Sequence, residues 1–239
     1  VATYGERRPT LPKDQRKRQQ ILRRDAARRK QKQKGPGRGS LALASPRAVL
    51  RSAARWPLEE CLISRGWDQE GALVQIVVAR RSPLDEIAAA IFLVDPGCRG
   101  VKDAYARLFD SRMEYAQTFR ARLTDLEPMK KADVDLAAKI VRDSIAYARN
   151  LGFNPQRDYH EAAPFLEGAD PDRCTVPVRV GGKDGKPFFV AGPFDDVPRV
   201  LAQLERAVGA GNFDFTVPVD ASMVVVPPWG APRVVADDK

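Results

Sequence analysis

The residue types best placed for chemistry lie in the segment Phe92–Ala104, where an aspartate follows an apolar run and precedes a glycine turn. Asp95 ends a predicted strand, and a helix is predicted to begin near Val101, so its first backbone N–H groups are suited to binding an anion. Asp95 and Asp103, with Asp143 from a later helix, are oxygen ligands of the kind that hold a divalent metal for phosphodiester hydrolysis. The simpler interpretation is structural: Asp95 belongs to the turn that ends the strand, and Asp103 lies in the first helical turn, where its charge interacts favourably with the helix dipole. We prefer this interpretation and predict no metal.

A second candidate chemistry is that of a thiol enzyme, with Cys98 as the nucleophile and His160, the single histidine of the chain, as the base. Cys61, Cys98 and Cys174 lie far apart and form no CxxC pair, so neither a disulfide framework nor a structural zinc site is predicted. A lone histidine is more often a partly exposed packing residue. Few, unpaired cysteines are typical of a reducing compartment. No cofactor is predicted.

The strongest functional signal is the distribution of charge. Residues 1–40 contain 14 Lys or Arg and 3 Asp or Glu, a net charge of +11, whereas the rest of the chain contains 26 against 28, a net charge of −2. Concentrated positive charge binds polyanions because each neutralised phosphate releases a counterion. Nucleic acid is the usual partner, with RNA or the ribosome favoured, and an anionic membrane surface is the alternative. The predicted contact residues are Arg16, Lys17, Arg18, Arg23, Arg24, Arg28, Arg29, Lys30, Lys32 and Lys34.

These cations belong to a basic arm, residues 1–44, that has no apolar face to bury. Its central part contains two large apolar residues, Ile21 and Leu22, and like charges repel one another at i,i+4 spacing. We expect disorder in free solution and a helix once the charges are neutralised. Because Tyr4 is its only aromatic residue, binding should be electrostatic and poorly sequence-specific.

Behind the arm, hydrophobic periodicity predicts one α+β domain over residues 45–220, with hairpin-based antiparallel sheets and a central helical segment. The predicted helical regions are Ser45–Ala54, Val101–Asn150, Asp158–Leu166 and a helix from Asp195 or Asp196 to Val208. The predicted strands are Leu58–Ile63, Leu73–Ala79, Ile87–Val94, Cys174–Val180, Pro187–Val190 and Phe213–Val217. A sub-boundary is predicted near 167–173, and residues 221–239 form a Val- and Pro-rich tail.

The glycine-rich segment Gly181–Lys186 invites comparison with a phosphate-binding loop. It lacks the GxxxxGK[ST] order, and Pro187 and a predicted strand follow it instead of a helix. We interpret it as a hairpin turn whose two lysines are available to a phosphate backbone.

Two fragments resemble the type 2 ribonuclease H family. Val94–Gly100 is similar to that family's Val-Asp-Glu-Ala-Gly-Arg-Gly run, and Ala138–Asp143 is similar to its Ala-Lys-Val-x-Arg-Asp helix. The family's metal-binding Glu is replaced by Pro96, the two fragments lie too close together, and the predicted hairpin precedes Asp95 instead of following it. We therefore attribute this resemblance to chance.

Four other segments resemble an uncharacterised group of bacterial proteins with a basic N-terminal arm. The group has Trp-Pro-x-x-Glu-Cys, Phe-Leu-Val-Asp-x-x-Cys-x-Gly-Val-Lys-Asp-Ala, Tyr-Ala-x-x-Leu-Gly-Phe-x-Pro and Gly-Lys-Asp-Gly-Lys-Pro segments. The matching segments here are Trp56–Cys61, Phe92–Ala104, Tyr147–Pro155 and Gly182–Pro187. The resemblance covers most of the chain and implies a coherent domain, but it brings no known activity.

The sequence therefore predicts a non-enzymatic, nucleic-acid-associated protein of the bacterial cytoplasm that favours RNA over DNA. The metal-dependent nuclease and the thiol enzyme are the alternatives. A third is a protein interaction module, for which an exposed apolar patch including Trp67 or Trp229 would be the sign. No apolar run approaches the ~20 residues needed to span a bilayer, and the N-terminus has no secretory apolar region.

Overall fold

Four consecutive apolar, β-branched segments pair with their neighbours in sequence and form an antiparallel meander. The computed structural model describes residues 46–192 and 195–217, with the backbone alone for 46–48. The four strands are β1 (Leu58–Ser64), β2 (Val74–Arg81), β3 (Ile87–Asp95) and β4 (Gly100–Phe109). A short fifth strand, β5 (Met129–Lys131), pairs with β1, so the sheet order is β4-β3-β2-β1-β5.

Both faces of this sheet are buried, because successive side chains of a strand point to opposite sides. In β2, Ile76 and Val78 belong to one hydrophobic cluster, whereas Val77 and Ala79 belong to another. The sheet is therefore the middle layer of the fold, with a separate core on each side.

Three helices cover the first face of the sheet. They are α1 (Pro46–Ala53), α3 (Val134–Asn150) and α4 (Tyr159–Ala162), the last of which continues into a 3₁₀ turn, Ala163–Leu166. The helix α3 begins at Asp133, whose Oδ1 accepts a hydrogen bond from Asp135 N at 2.9 Å. Its buried side chains recur at helical spacing and include Ala137, Ile140, Val141 and Ile145.

One helix, α2, covers the opposite face. It has three consecutive parts, an α-helical start (Arg112–Glu114), a π-helical middle (Tyr115–Arg120) and an α-helical end (Ala121–Leu126). Its side chains pack on the sheet around Phe109, whose ring lies 5.3 Å from that of Tyr115 in an edge-to-face arrangement. Aromatic pairs of this geometry add to the stabilisation from apolar burial.

A third cluster lies beyond the end of α3. Here β6 (Phe188–Val190) and β7 (Asp214–Thr216) pair in parallel, and α5 (Val197–Val208) lies between them in the sequence. Asp196 caps the start of α5, and Gly209 follows its end. The buried residues of this cluster are Cys98, Leu151, Phe189, Ala191, Val200, Leu201, Leu204 and Phe213.

The helical prediction for Val101–Asn150 is wrong at its start, because β4 is a strand. Alternate residues of β4, Asp103, Tyr105 and Arg107, are exposed, and the residues between them are buried or half-buried. Apart from a bulge at Lys102, β4 pairs with β3 along its length, which supplies backbone hydrogen bonds that an isolated segment lacks. Tertiary pairing therefore overrides a local pattern that is compatible with a helix.

The predicted strand Cys174–Val180 is also wrong. In the part of the chain that the structure describes, these residues join no sheet, and the strand β6 pairs with β7 instead. Pro177 has no N–H to donate to a ladder, which is consistent with this outcome. The turn at Gly181–Lys186 is confirmed, since Gly182 N donates to Lys186 O at 2.7 Å, but the hairpin around it is not formed.

The α+β class and the other predicted helices and strands are confirmed within a boundary shift of a few residues, whereas the strand β5 (Met129–Lys131) lies inside the predicted helical region Val101–Asn150 and was not predicted. Asp133 and Asp196, each one of two predicted alternatives, are the caps. Gly152 follows α3 with φ of 81°, as expected for a helix stop. The basic arm and the tail 221–239 lie outside the described residues. No helix in the described ranges has the length and hydropathy to cross a bilayer.

Candidate functional site

The segment Phe92–Ala104 forms the end of β3, a tight turn and the start of β4. Because Gly100 begins a strand, the predicted helix start and its anion-binding N–H groups are absent from this turn. Gly100 has φ of 67°, and a Cβ there would lie 2.9 Å from Ala148 Cβ of α3. Position 100 therefore requires glycine for two reasons, its backbone conformation and its close contact with α3.

Asp95 is buried beneath this turn, with 3% of its surface exposed. Its Oδ1 accepts a hydrogen bond from Cys98 N at 3.1 Å, and its Oδ2 has no hydrogen-bond partner among the described residues. Burial raises the pKa of Asp95 to about 6, although Lys102 and the backbone N–H groups of the turn oppose the shift. A carboxyl group with this pKa is close to half protonated just below neutral pH.

The turn is joined to the glycine-rich loop and to β6. Phe188 N donates to Gly97 O at 2.9 Å, and Gly181 N donates to Pro96 O at 3.0 Å. A Cβ on Gly97 would lie 2.5 Å from Phe188 O, which leaves no room for a side chain. The glycine-rich loop thus supports the Asp95 turn through its backbone.

Tyr147 of α3 contacts the same glycine-rich loop. Its hydroxyl donates to Gly185 O at 2.9 Å, and burial, with smaller contributions from Cys98 and Asp95, raises the pKa of Tyr147 to about 12. The phenol is therefore a neutral hydrogen-bond donor that fastens the loop to α3.

A β-bulge at the start of β4 directs Lys102 away from the regular ladder. Leu93 pairs with Asp103 and Val94 with Val101, so Lys102 has no partner on β3. Its side chain is 7% exposed, and its Nζ donates to Asp195 Oδ2 at 2.6 Å. The bulge thus connects the sheet to the segment that precedes α5.

Asp195 is shared by two cations. Arg99 Nη1 donates to its Oδ1, and Gly192 N donates to its Oδ2 at 2.7 Å, beside the bond from Lys102. Burial alone would raise the pKa of Asp195, but these hydrogen bonds and charges lower it below its ordinary value. One carboxylate therefore balances two positive side chains, and Arg99 Nε, itself buried, has no acceptor among the described residues.

The ion-pair cluster of Arg99, Lys102 and Asp195 forms one wall of a cleft of about 1100 Å³. The end of β3 and β4, the loop 152–157 and one side of α5 line it. Its cations are Arg99, Lys102, Arg157, Arg199 and Arg206. Its acidic residues are Asp103, Asp195 and Asp196. The lining has a surplus of two positive charges, whereas the chain outside residues 1–40 has a net charge of −2.

The three aspartates proposed as metal ligands do not form one site. Asp95 is buried, and Asp103 is exposed in the cleft. Asp143 on α3 forms ion pairs with Lys139 at 3.3 Å and Arg142 at 3.0 Å. Within residues 46–192 and 195–217, no group of three His, Cys, Asp or Glu side chains is arranged to hold a metal ion.

The proposed thiol pair is not assembled either. Cys98 is fully buried in the third cluster, and burial, followed by the charge of Asp95, raises the pKa of its thiol. His160 is exposed on α4, where its ring lies beside that of Tyr159. A protonated, inaccessible thiol is a poor nucleophile.

The other sequence candidates have structural roles or lie beyond the described residues. Cys61 is buried, with a pKa raised to about 12 by burial, and Cys174 is half-buried. Trp67 is 8% exposed and packs in the first core, so it is not part of an exposed patch. Trp229 and the ten arm cations, Arg16 to Lys34, lie outside the described residues.

Arg99, Lys102 and Asp195 are the residues that sequence reasoning missed. Arg99 and Lys102 lie inside the segment Phe92–Ala104, where the residue types that suggested chemistry were the aspartates and Cys98. Asp195 was considered only as a possible helix cap. Because 93 residues separate Lys102 from Asp195, no local pattern indicates that they meet.

Comparisons with known proteins give no relative from which to assign a function: no family model, curated protein or solved structure matches this chain.

Proposed function

We propose that the protein binds nucleic acid, RNA in preference to DNA, through the cations of its basic arm. The observation that carries this proposal is the separation of charge, +11 in residues 1–40 against −2 in the remainder. Such a concentration attracts phosphate backbones, and the release of counterions supplies the free energy of binding. A partner such as the ribosome, whose surface is rich in RNA phosphates, fits the same chemistry.

The composition of the arm sets the expected mode of binding. It supplies cations for phosphates but only one aromatic side chain, Tyr4, for stacking on bases. The arm therefore binds with little sequence preference, and the folded part contributes placement or a second contact. The cytoplasm suits this function, because its reducing conditions keep the unpaired cysteines as thiols.

Two observations favour binding over the catalytic alternatives. Asp95, Asp103 and Asp143 lie in different environments, buried, exposed and ion-paired, so they do not converge on one ion. The thiol of Cys98 is buried and its pKa is raised, which is opposite to the requirement of a thiol enzyme.

The test is a titration of the full chain with mixed-sequence single-stranded RNA and with duplex DNA across a salt series. If all ten named arm cations neutralise phosphates, the slope of log K against log salt on the single strand is about −7. A chain that begins at Leu41 should lose the steep salt dependence and most of the affinity.

A variant in which residues 13–34 are shuffled, with unchanged composition, is the matched control. It should bind as well as the natural arm, because counterion release depends on charge density and not on residue order. Full affinity in the chain that begins at Leu41 would reject the proposal. A large loss on shuffling would replace it with recognition of a specific sequence.

A further inference from the structure

The cleft beside β4 and α5 has a charge that the rest of the folded part does not share. Its five cations and three carboxylates leave a surplus of two positive charges, within a part of the chain that is net negative. Arg157 and Arg199 are exposed and have no ion pair among the described residues. The surplus is therefore concentrated in a concave surface, where low-dielectric walls strengthen its field.

The position of Arg199 adds to this field. It lies in the first turn of α5, a 12-residue helix whose first turn contains no acidic residue. The positive end of the helix dipole disfavours a cation there and favours an anion. The carboxylate of the N-cap Asp196 accepts from Arg199 N, and Asp195 pairs with Lys102, so the guanidinium of Arg199 is left as the group there whose charge an anion could pair with.

A buried donor with unmet hydrogen-bonding capacity also faces the cleft. The Lys102 side chain is 7% exposed, and its ammonium has three N–H donors but a single acceptor, Asp195 Oδ2, among the described residues. Asp195 in turn is shared with Arg99 and with the backbone of Gly192. The ammonium is therefore held in place by one carboxylate and keeps donors for a further acceptor.

Apolar side chains also contribute to the lining of the cleft. Phe153 and Pro155 from the loop after α3, together with Leu73 and Leu93, line the same cleft. A volume of about 1100 Å³ far exceeds the needs of a single inorganic anion and lies at the upper end of small-ligand sites. An aromatic side chain in the same cleft as a cluster of donors suits a ligand with a phosphate at one end and a planar ring at the other.

We infer that this cleft binds a nucleoside phosphate, either free or as part of an RNA strand. Lys102 and Arg199 receive the phosphate, Arg157 provides a third positive charge, and Phe153 contacts the base. This inference does not depend on the function proposed for the basic arm.

The experiment is calorimetric titration of the full chain with AMP, adenosine, inorganic phosphate and a mixed-sequence trinucleotide. The Arg157→Gln/Arg199→Gln double variant should bind AMP at least about tenfold more weakly, because each charge-assisted contact contributes more than a neutral one. The matched control is Arg65→Gln/Arg122→Gln, which removes the same charge at two exposed positions outside the cleft and should bind AMP normally. An Arg199→Lys variant should keep most of the affinity.

The outcomes separate the possibilities. AMP binding that requires both the phosphate and the two arginines supports the inference, and the ratio of AMP to trinucleotide affinity then identifies the free nucleotide or the strand. No binding of AMP or trinucleotide by the natural chain overturns it, as does affinity for phosphate equal to that for AMP. Binding that survives the double variant but disappears when the ten arm cations become Gln belongs to the arm and also overturns it.

Discussion

Lys102 Nζ lies 2.6 Å from Asp195 Oδ2, which joins the bulge in β4 to the start of α5 across 93 residues. Both side chains are more than nine-tenths buried. The pair connects the antiparallel sheet to the third cluster and belongs to one wall of the cleft described above. Its energetics and those of the adjacent turn are the basis for four predictions.

Removal of one partner of this ion pair should destabilise the fold strongly. Asp195→Asn leaves Lys102 and Arg99 without their carboxylate, and an uncompensated buried charge costs about 3–5 kcal/mol. Urea denaturation measures the loss in the free energy of unfolding. The matched control is Asp172→Asn, which breaks the exposed Arg142–Asp172 pair and should cost far less, because solvent screens an exposed ion pair. Equal, small effects of both substitutions would contradict the prediction.

The titration of Asp95 should lower the free energy of unfolding as pH rises through the weakly acidic range. Its pKa is about 6 in the folded state against an ordinary value of 3.8, so the folded state holds the proton that the unfolded chain has lost. The free energy of unfolding should therefore decrease by about 2 kcal/mol between pH 4 and pH 7 on account of this group.

The measurement is urea denaturation at several pH values for the natural chain and for Asp95→Asn. The variant should lack this slope, because its side chain does not titrate. The pKa of Asp195 is lowered from 3.8, so its contribution to stability is lost as pH falls through and below that value. Most of this loss lies below pH 4 and therefore does not mask the effect of Asp95. Parallel pH profiles for the two proteins would show that Asp95 titrates normally.

Gly100 should be far less tolerant of substitution than Gly168, although both have positive φ, 67° and 85°. An alanine Cβ at Gly100 would lie 2.9 Å from Ala148 Cβ and 3.1 Å from Ser144 O, whereas nothing lies within 4 Å at Gly168. Gly168→Ala should cost about 1 kcal/mol for its backbone conformation. Gly100→Ala should cost about 1–3 kcal/mol more because of overpacking. Denaturation of the two variants side by side checks this, and equal losses would contradict the close packing of the turn on α3.

The cysteines should differ sharply in reactivity. Cys174 is half-buried and should react with a thiol reagent such as dithionitrobenzoate in the native protein, whereas Cys61 and Cys98 are buried with raised pKa values. We expect one thiol to be labelled under native conditions and three after unfolding. A Cys174→Ser variant should show no rapid native reaction. Fast labelling of Cys98 in that variant would contradict its burial and would support the thiol-enzyme alternative.

Several elements were predictable because their information is local. The apolar runs of β2 and β3, the helical spacing of α3 and the caps Asp133 and Asp196 all act within a few residues. The strand β4 was not predictable in this way, because its residues fit a helix almost as well and the choice depends on pairing with β3. The parallel pairing of β6 with β7 likewise depends on contacts across 26 residues, from Phe188 to Asp214.

The sequence by itself determined the separation of charge between the basic arm and the remainder, because charge is a sum over residues and needs no geometry. It also singled out the segment Phe92–Ala104 as the most site-like part of the fold, although the preferred interpretation of that segment was structural. Only the tertiary structure decided which residues of that segment matter and how. Burial, not residue type, raises the pKa of Asp95, and the return of the chain at Asp195 holds Lys102 in the cleft. Desolvation and pairing are properties of neighbours that folding brings from distant positions in the chain.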